Sequence, residues 1–438
     1  MTLAVALLRV FAGLAAATSA GWAVSRPVVR ALTRRERIAW ALAAGLLLQA
    51  IGLLALLTFR VRPSAWKLLT FEALAAGVAF MFRRPNAAAP EHPRVDSSRV
   101  TWLLLCVAGA AWLVFLGEAV ADSMWATDFL AFWGYKGKIV FLTSELPRRL
   151  FQDPALYFAH REYPLLVSLS LAALASFIGR WDDQALALLY PACALATLCA
   201  LSGFLERRVS RRAGAMAAAL AALCVFLYRP ANAGTAEIPF ALALVLASSA
   251  VLDRIARSDA SSVWRLVLAS LFCASLKQEG TLFVALLALV LWLRTGHVER
   301  ARRWVGAAAL VLPAAAHWIL LYFLRGNQTR RDFDFTLLTP QRWTELPALF
   351  LLVVGRFARI GWTEALVPIL AILVYVLVTR RGIGDALFPV FPAQILFYAV
   401  AFTVSSFDPL YAIDGAFRRI TMSLFPAFTL VLCSRDIR

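Results

Sequence analysis

Runs of about twenty apolar residues recur along this 438-residue chain and constrain it more than any other feature. They fall at about 2–24, 38–58, 66–82, 100–121, 163–179, 184–205, 214–228, 238–256, 263–278, 279–294, 304–324, 346–360, 364–379, 386–405 and 419–433. A helix of that length spans the hydrocarbon core of a bilayer. A soluble fold of this size has neither the interior for 61% hydrophobic residues nor a surface that manages with 16% charged ones. The sequence therefore predicts an all-α, polytopic membrane protein.

The charge pattern fits that reading. Lys+Arg exceeds Asp+Glu by 44 to 26, giving +18, and Lys67, Lys136, Lys138 and Lys277 are the only lysines. The arginines gather in short connectors at 25–37, 83–99, 206–213 and 294–303. This is the positive-inside pattern beside anionic headgroups, so the expected partner of the basic residues is membrane lipid and not nucleic acid. The six cysteines lie in or beside apolar runs without a CxxC pair, and the four histidines lack ligand spacing. The first run has no basic segment before it and is read as an anchor, with Arg9 snorkelling to the interface.

With those connectors on one side, 122–162, 229–237 and 325–345 face the other. Alternation then fails at 163–179 and 346–360, which are expected to lie along the interface or dip into the membrane, leaving about thirteen spans. The Pro/Ala-rich stretch 85–97 divides the chain into accessory helices and linker at 1–99 and a functional unit at 100–438.

The loop 122–162 is long and rich in Trp, Phe and Tyr, as suits a membrane–water interface. Phe129 to Leu142 can be drawn as an amphipathic helix on the membrane, with Lys136 and Lys138 beside headgroups. Asp128 heads this helix, either as a simple cap or as a functional carboxylate. Lys277 and Glu279 interrupt an apolar stretch from 263 to 293, where ionisable groups are costly and pair or line a polar cavity. An ordinary hairpin with a charged outer turn at Gly280 is the alternative.

These residues resemble the GT-C glycosyltransferases, polytopic enzymes that take a sugar from a polyprenyl-phosphate carrier, such as protein O-mannosyltransferases and aminoarabinose transferases. Asp128 ahead of an aromatic amphipathic helix is similar to their first outer loop. His160-Arg161-Glu162-Tyr163-Pro164-Leu165 resembles the motif closing that loop. Ala236-Glu237-Ile238-Pro239 resembles the second outer-loop acid, and Lys277-Gln278-Glu279-Gly280 the "KxEG" break between central helices. Arg418-Arg419 with Leu424-Phe425-Pro426 resembles the opening of a late span. The likeness covers roughly 100–435. It departs from the family in having one Pro after Tyr163 and Glu, not Asp, at 237. It also has no DxD in the first loop; Asp332-Phe333-Asp334 spells one in a later loop.

The resemblance implies a GT-C fold and inverting transfer of a sugar from a polyprenyl-phosphate donor to a hydroxyl of a lipid, glycan or protein. Such chemistry needs a carboxylate to accept the nucleophile's proton and cations to hold the leaving phosphate. Asp128 is the expected base, with Glu237 its partner. Glu162, His160, Tyr163, Lys277, Glu279, Arg330, Arg331 and Arg419 are the expected substrate-binding residues, the cations for phosphate. A solvated loop or headgroup contacts explain most arginines of 325–345 equally well. No cofactor is expected and a divalent ion stays open. Ala- and Arg-rich, Lys-poor usage points to a bacterial plasma membrane, with the site facing the periplasm or cell exterior. A glycan ligase using a pyrophosphate-linked lipid and a secondary transporter or flippase are the alternatives; the latter calls for charges within broken helices.

Overall fold

A computed structural model describes residues 1–81, 98–146, 153, 156, 159–160, 163–223, 234–256, 260–294, 300–325, 340–364, 387–403 and 409–434. The linker 85–97, the run 364–379 beyond its first residue, and Glu162, Arg330, Arg331 and Asp332-Phe333-Asp334 lie outside them. Among the described residues all regular structure is helical. That is what a membrane imposes, because a helix satisfies its own backbone where no water can. The main helices are α1 (Leu3–Val29), α2 (Arg34–Thr58), α3 (Ala65–Met81), α4 (Arg99–Ala121), α5 (Gly134–Thr143), α6 (Leu166–Ile178), α7 (Leu189–Arg208), α8 (Arg211–Ala221), α9 (Glu237–Ala256), α10 (Ala260–Leu276), α11 (Gln278–Arg294), α12 (Arg300–Arg325), α13 (Pro340–Glu364), α14 (Val390–Thr403) and α15 (Pro409–Cys433).

Six stretches are long and apolar enough to cross a membrane: α1, α2, α4, Asp183–Arg208 containing α7, α9, and Arg302–Phe323 of α12. Shorter apolar helices include α6, α10 and α14. The chain is integral to a membrane. Small residues let the helices close up. A Cβ on Gly21 of α1 would lie 2.0 Å from the Ala41 carbonyl oxygen of α2, and one on Gly45 would lie 2.1 Å from that of Ala17. Such close crossings supply van der Waals contact where lipid offers no hydrophobic drive. The pair α1–α2 packs in turn on α6, α7 and α10. Arg9 does more than snorkel: its Nη1 donates to the Ile178 carbonyl at 2.9 Å, satisfying the C-terminus of α6.

Helix α6 lies in the first segment where alternation fails. Its thirteen residues are all buried, and at 1.5 Å per residue they reach about 20 Å, short of a bilayer's ~30 Å. At its start Ser168 Oγ donates to the Trp133 carbonyl at 2.9 Å. Beyond its finish Gln184 Nε2 donates to the Val120 carbonyl, in the last turn of α4, at 2.6 Å. The start of α6 and the segment that follows it therefore both meet residues beside the 122–162 loop. The segment at 346–360 belongs to the longer α13, which packs on α14 and α15.

Helix α9 runs through the middle, with every residue from Glu237 to Arg254 buried. It sets the frame for the charges at both ends of the bundle.

Candidate functional site

After α4 the chain passes through an extended stretch and then a π-helical turn, Phe129–Trp133, that continues into α5. The expected helix is present, with Lys138, Leu130 and Leu142 exposed on its outer side. Lys136 corrects the expectation that it meets headgroups. It is fully buried, and its Nζ donates to the His160 carbonyl at 2.5 Å. Local patterning put Lys136 on a polar face, but the closing segment of the loop folds back and covers it. His160 sits in the left-handed region at φ +43°, a conformation His tolerates better than most residues. Its ring stacks on Tyr163 at 4.8 Å, Tyr163 stacks on Trp133 at 5.4 Å, and Phe132 meets His160 edge-on at 4.1 Å. His160 and Tyr163 thus join two residues of the π-turn in one aromatic wall.

Asp128 is not a helix cap. Its carboxylate makes no capping hydrogen bond; it accepts instead from Arg419 Nη1 of α15, 291 residues away in sequence. Burial pushes the Asp128 carboxyl above its ordinary range, against the pull of the Arg419 guanidinium and with added repulsion from Glu237.

Glu237 opens α9, where the helix N-terminus favours a negative charge. The turn before it is tied down from two directions. Tyr190 of α7 donates its hydroxyl to the Gly234 carbonyl at 3.0 Å. Gly234, at φ +90°, approaches Phe129 so closely that a Cβ would lie 2.9 Å from the ring. Only glycine supplies that conformation and that approach.

Lys277 is the one non-helical residue between α10 and α11. Gly280 permits so short a break, since a Cβ there would lie 2.2 Å from the Cys273 carbonyl oxygen. The break turns Lys277 inward. Its Nζ lies 3.2 Å from Glu237 Oε1, 3.4 Å from Glu279 Oε1 and 5.7 Å from the centre of the Phe240 ring. Arg419 Nε lies 4.0 Å from the same Glu237 oxygen.

Asp128, Glu237, Lys277, Glu279 and Arg419 therefore form one cluster, three carboxylates against two cations. Glu237 and Lys277 are its floor, with side chains 3% and 11% exposed; Asp128, Glu279 and Arg419 form a rim at 21–25%. Tyr163 lies within the field of Arg419, which places the aromatic wall beside the rim. This arrangement has the chemistry to take a proton and to hold an anion. Among the described residues no three His, Cys, Asp or Glu side chains are grouped to hold a metal ion.

Sequence reasoning missed Tyr398 of α14, which lies in the field of the same cluster, its neighbour Gln394, and Lys136 as the anchor of the loop. A signal existed for Gln394: it is a strongly polar residue inside the apolar run 386–405. No protein-family model, curated protein or solved structure matches the chain.

Proposed function

We propose that the chain is an integral-membrane glycosyltransferase of GT-C type, with about thirteen crossings and its site on the extracytoplasmic face. It transfers a sugar from a polyprenyl-phosphate donor to a hydroxyl acceptor. The observation that supports this best is the meeting of Asp128, Glu237, Lys277 and Arg419 from four distant parts of the chain at one end of the bundle. The arginine-rich connectors at the opposite end support an extracytoplasmic site by the positive-inside pattern, and the Ala- and Arg-rich, Lys-poor usage supports a bacterial plasma membrane.

In the reaction the acceptor oxygen attacks the anomeric carbon and forms the new C–O bond. The bond from that carbon to the phosphate oxygen breaks, and polyprenyl phosphate leaves with the electron pair. Asp128 takes the acceptor's proton, which its raised basicity favours. Arg419 and Lys277 stabilise the charge gathering on the phosphate. Because Arg419 holds Asp128 before the donor arrives, a phosphate that draws Arg419 away also leaves the carboxylate a stronger base. Attack opposite the leaving group inverts the anomeric centre.

Labelled polyprenyl-phosphate sugars with the purified protein test this reading. The expected result is release of polyprenyl phosphate and an inverted glycosyl product, both abolished in Asp128→Asn. Binding without release, unchanged in Asp128→Asn, contradicts it. One observation favours a second reading, a flippase or transporter of lipid-linked sugars: Lys277 sits at a break between two apolar helices, paired with a buried acid. Movement of intact donor across a sealed vesicle, with no bond broken, is the outcome that selects it.

A further inference from the structure

Beside Lys277, the floor of the charged cluster carries buried polar groups that the transfer chemistry does not use. Gln394 of α14 is fully buried and its carboxamide makes no well-formed hydrogen bond, with Tyr398 one turn on as its polar neighbour. Glu237 Oε2 and Thr235 Oγ1, two residues apart and close to each other, are likewise buried without a well-formed hydrogen bond. Buried polar atoms are nearly always satisfied, and an orphaned one is costly to keep. Four poorly bonded atoms beside one site call for an explanation.

Their placement supplies one. Gln394 and Tyr398 are four residues apart and share a face of α14. Tyr398 lies within the fields of Glu279, Lys277 and Glu237, level with the cluster. Three residues before Gln394, Phe391 packs on Phe283 of α11 at 6.0 Å and on Phe428 of α15 at 5.3 Å. Gln394 is thus held between an aromatic base and the Lys277 level, about 6 Å below Tyr398 along the helix.

The polarity of this floor differs from that of the rim. Arg419 at the rim suits an anion. The floor combines a carboxylate oxygen, a hydroxyl and a carboxamide with both a donor and an acceptor to offer. A carboxylate repels phosphate but accepts from neutral hydroxyls, and a carboxamide bridges adjacent hydroxyls on one ring. We infer that Gln394, with Glu237 Oε2 and Thr235, is the specificity floor of the site and recognises neutral ring hydroxyls of a polyol. The bound molecule then enters with its phosphate between Arg419 and Lys277 and its hydroxyls inward. This rests on the proposed transfer reading for the identity of the polyol as the donor sugar, and on geometry alone for hydroxyl recognition.

The test uses the full-length protein in detergent, with polyprenyl-phosphate glucose, mannose and galactose and the deoxy forms of glucose as probes. Equilibrium binding, turnover and thermal unfolding are read for wild type, Gln394→Leu and Gln394→Met. The expected result is a 5- to 100-fold weaker Kd for the preferred hexose, from about one to two lost hydrogen bonds at a buried site. One deoxy probe, which already lacks the partner hydroxyl, should lose much less. The melting temperature should hold or rise, since a buried carboxamide without a well-formed hydrogen bond has been removed. Unchanged affinity and hexose preference in both variants, with a higher melting temperature, overturns the inference and leaves Gln394 a buried structural amide. Wild-type binding with no turnover sinks the transfer reading while leaving the Gln394 comparison readable from Kd. Wild type that binds none of the probes overturns both.

Discussion

Glu237 and Asp253 stand sixteen residues apart on α9, about 24 Å along its axis, and each anchors a charged cluster at one end of the bundle. At the Asp253 end, Arg207 spends its whole fork. It gives Nε and Nη2 to Glu36 at 3.0 and 2.7 Å, and Nη1 and Nη2 to Asp253 at 3.0 and 2.9 Å. Arg208 donates to Asp253 as well, and Arg265 stands 3.6 Å from it while bonding the Val28 carbonyl of α1. Glu36 closes a capping box with Thr33 at the start of α2. Every carboxylate oxygen there is answered, mostly by planar forks, and α2, α7, α9 and α10 are locked together.

At the Glu237 end the cations are outnumbered, one is a flexible lysine, and Glu237 Oε2 makes no well-formed hydrogen bond. The rim residues stay partly open to solvent. The contrast separates two uses of buried charge in one protein. A network whose carboxylates are all answered by guanidinium groups fixes helices, whereas on the proposed reading the other cluster keeps an acceptor for something that comes and goes.

The comparison can be broken by exchanging the readouts. Asp128→Asn is expected to lower turnover by about 10²- to 10⁴-fold, the usual worth of a positioned base, while the melting temperature barely moves. Loss of fold in that variant would place Asp128 with the structural cluster. Next in size, Arg207→Ala should cost about 3–5 kcal/mol in denaturation, because buried Glu36 loses the guanidinium that answers it and Asp253 is left to Arg208 and Arg265. A variant as stable as wild type would remove the distinction from the other side.

The pH dependence sharpens it further. Burial raises Asp128, so the charged, base-competent form is lost as pH falls through that raised pKa. The acid limb of kcat/KM should therefore lie above the ordinary carboxylate range. Arg419 favours the charged form, so Arg419→Gln should move that limb still higher as well as weaken donor binding. A limb that stays put or moves down would detach Asp128 from the rate. Smallest, Thr33→Ala removes a capping box far from the site and should cost about 1 kcal/mol without changing turnover.

Much of this division was legible before any fold was known. Hydropathy places the helices because each must satisfy its own backbone in lipid, and the observed ends lie within a few residues of the apolar runs for α2, α4, α9 and α10. Lys277 and Glu279 declared themselves by breaking an apolar run, and Gly280 by the turn it allows. The pairing of Asp128 with Arg419 was not legible, because it depends on α15 returning to the loop across 291 residues. Nor was the burial of Lys136, which is decided by a carbonyl on another segment and not by its own neighbours. Sequence reasoning picked no charge from the Asp253 network. Arg207 and Arg208 read as connector residues beside lipid headgroups, because arginine-rich edges of spans ordinarily are.

The central claim is that the Asp128 end performs chemistry and the Asp253 end holds the fold. It is tested most directly by measuring polyprenyl-phosphate release and thermal unfolding together for Asp128→Asn and Asp253→Asn. The account predicts a crossed result: Asp128→Asn unfolds like wild type and releases no polyprenyl phosphate. Asp253→Asn unfolds markedly earlier and, below its transition, turns over donor normally. Parallel loss of stability in both variants, or full turnover in Asp128→Asn, would contradict it.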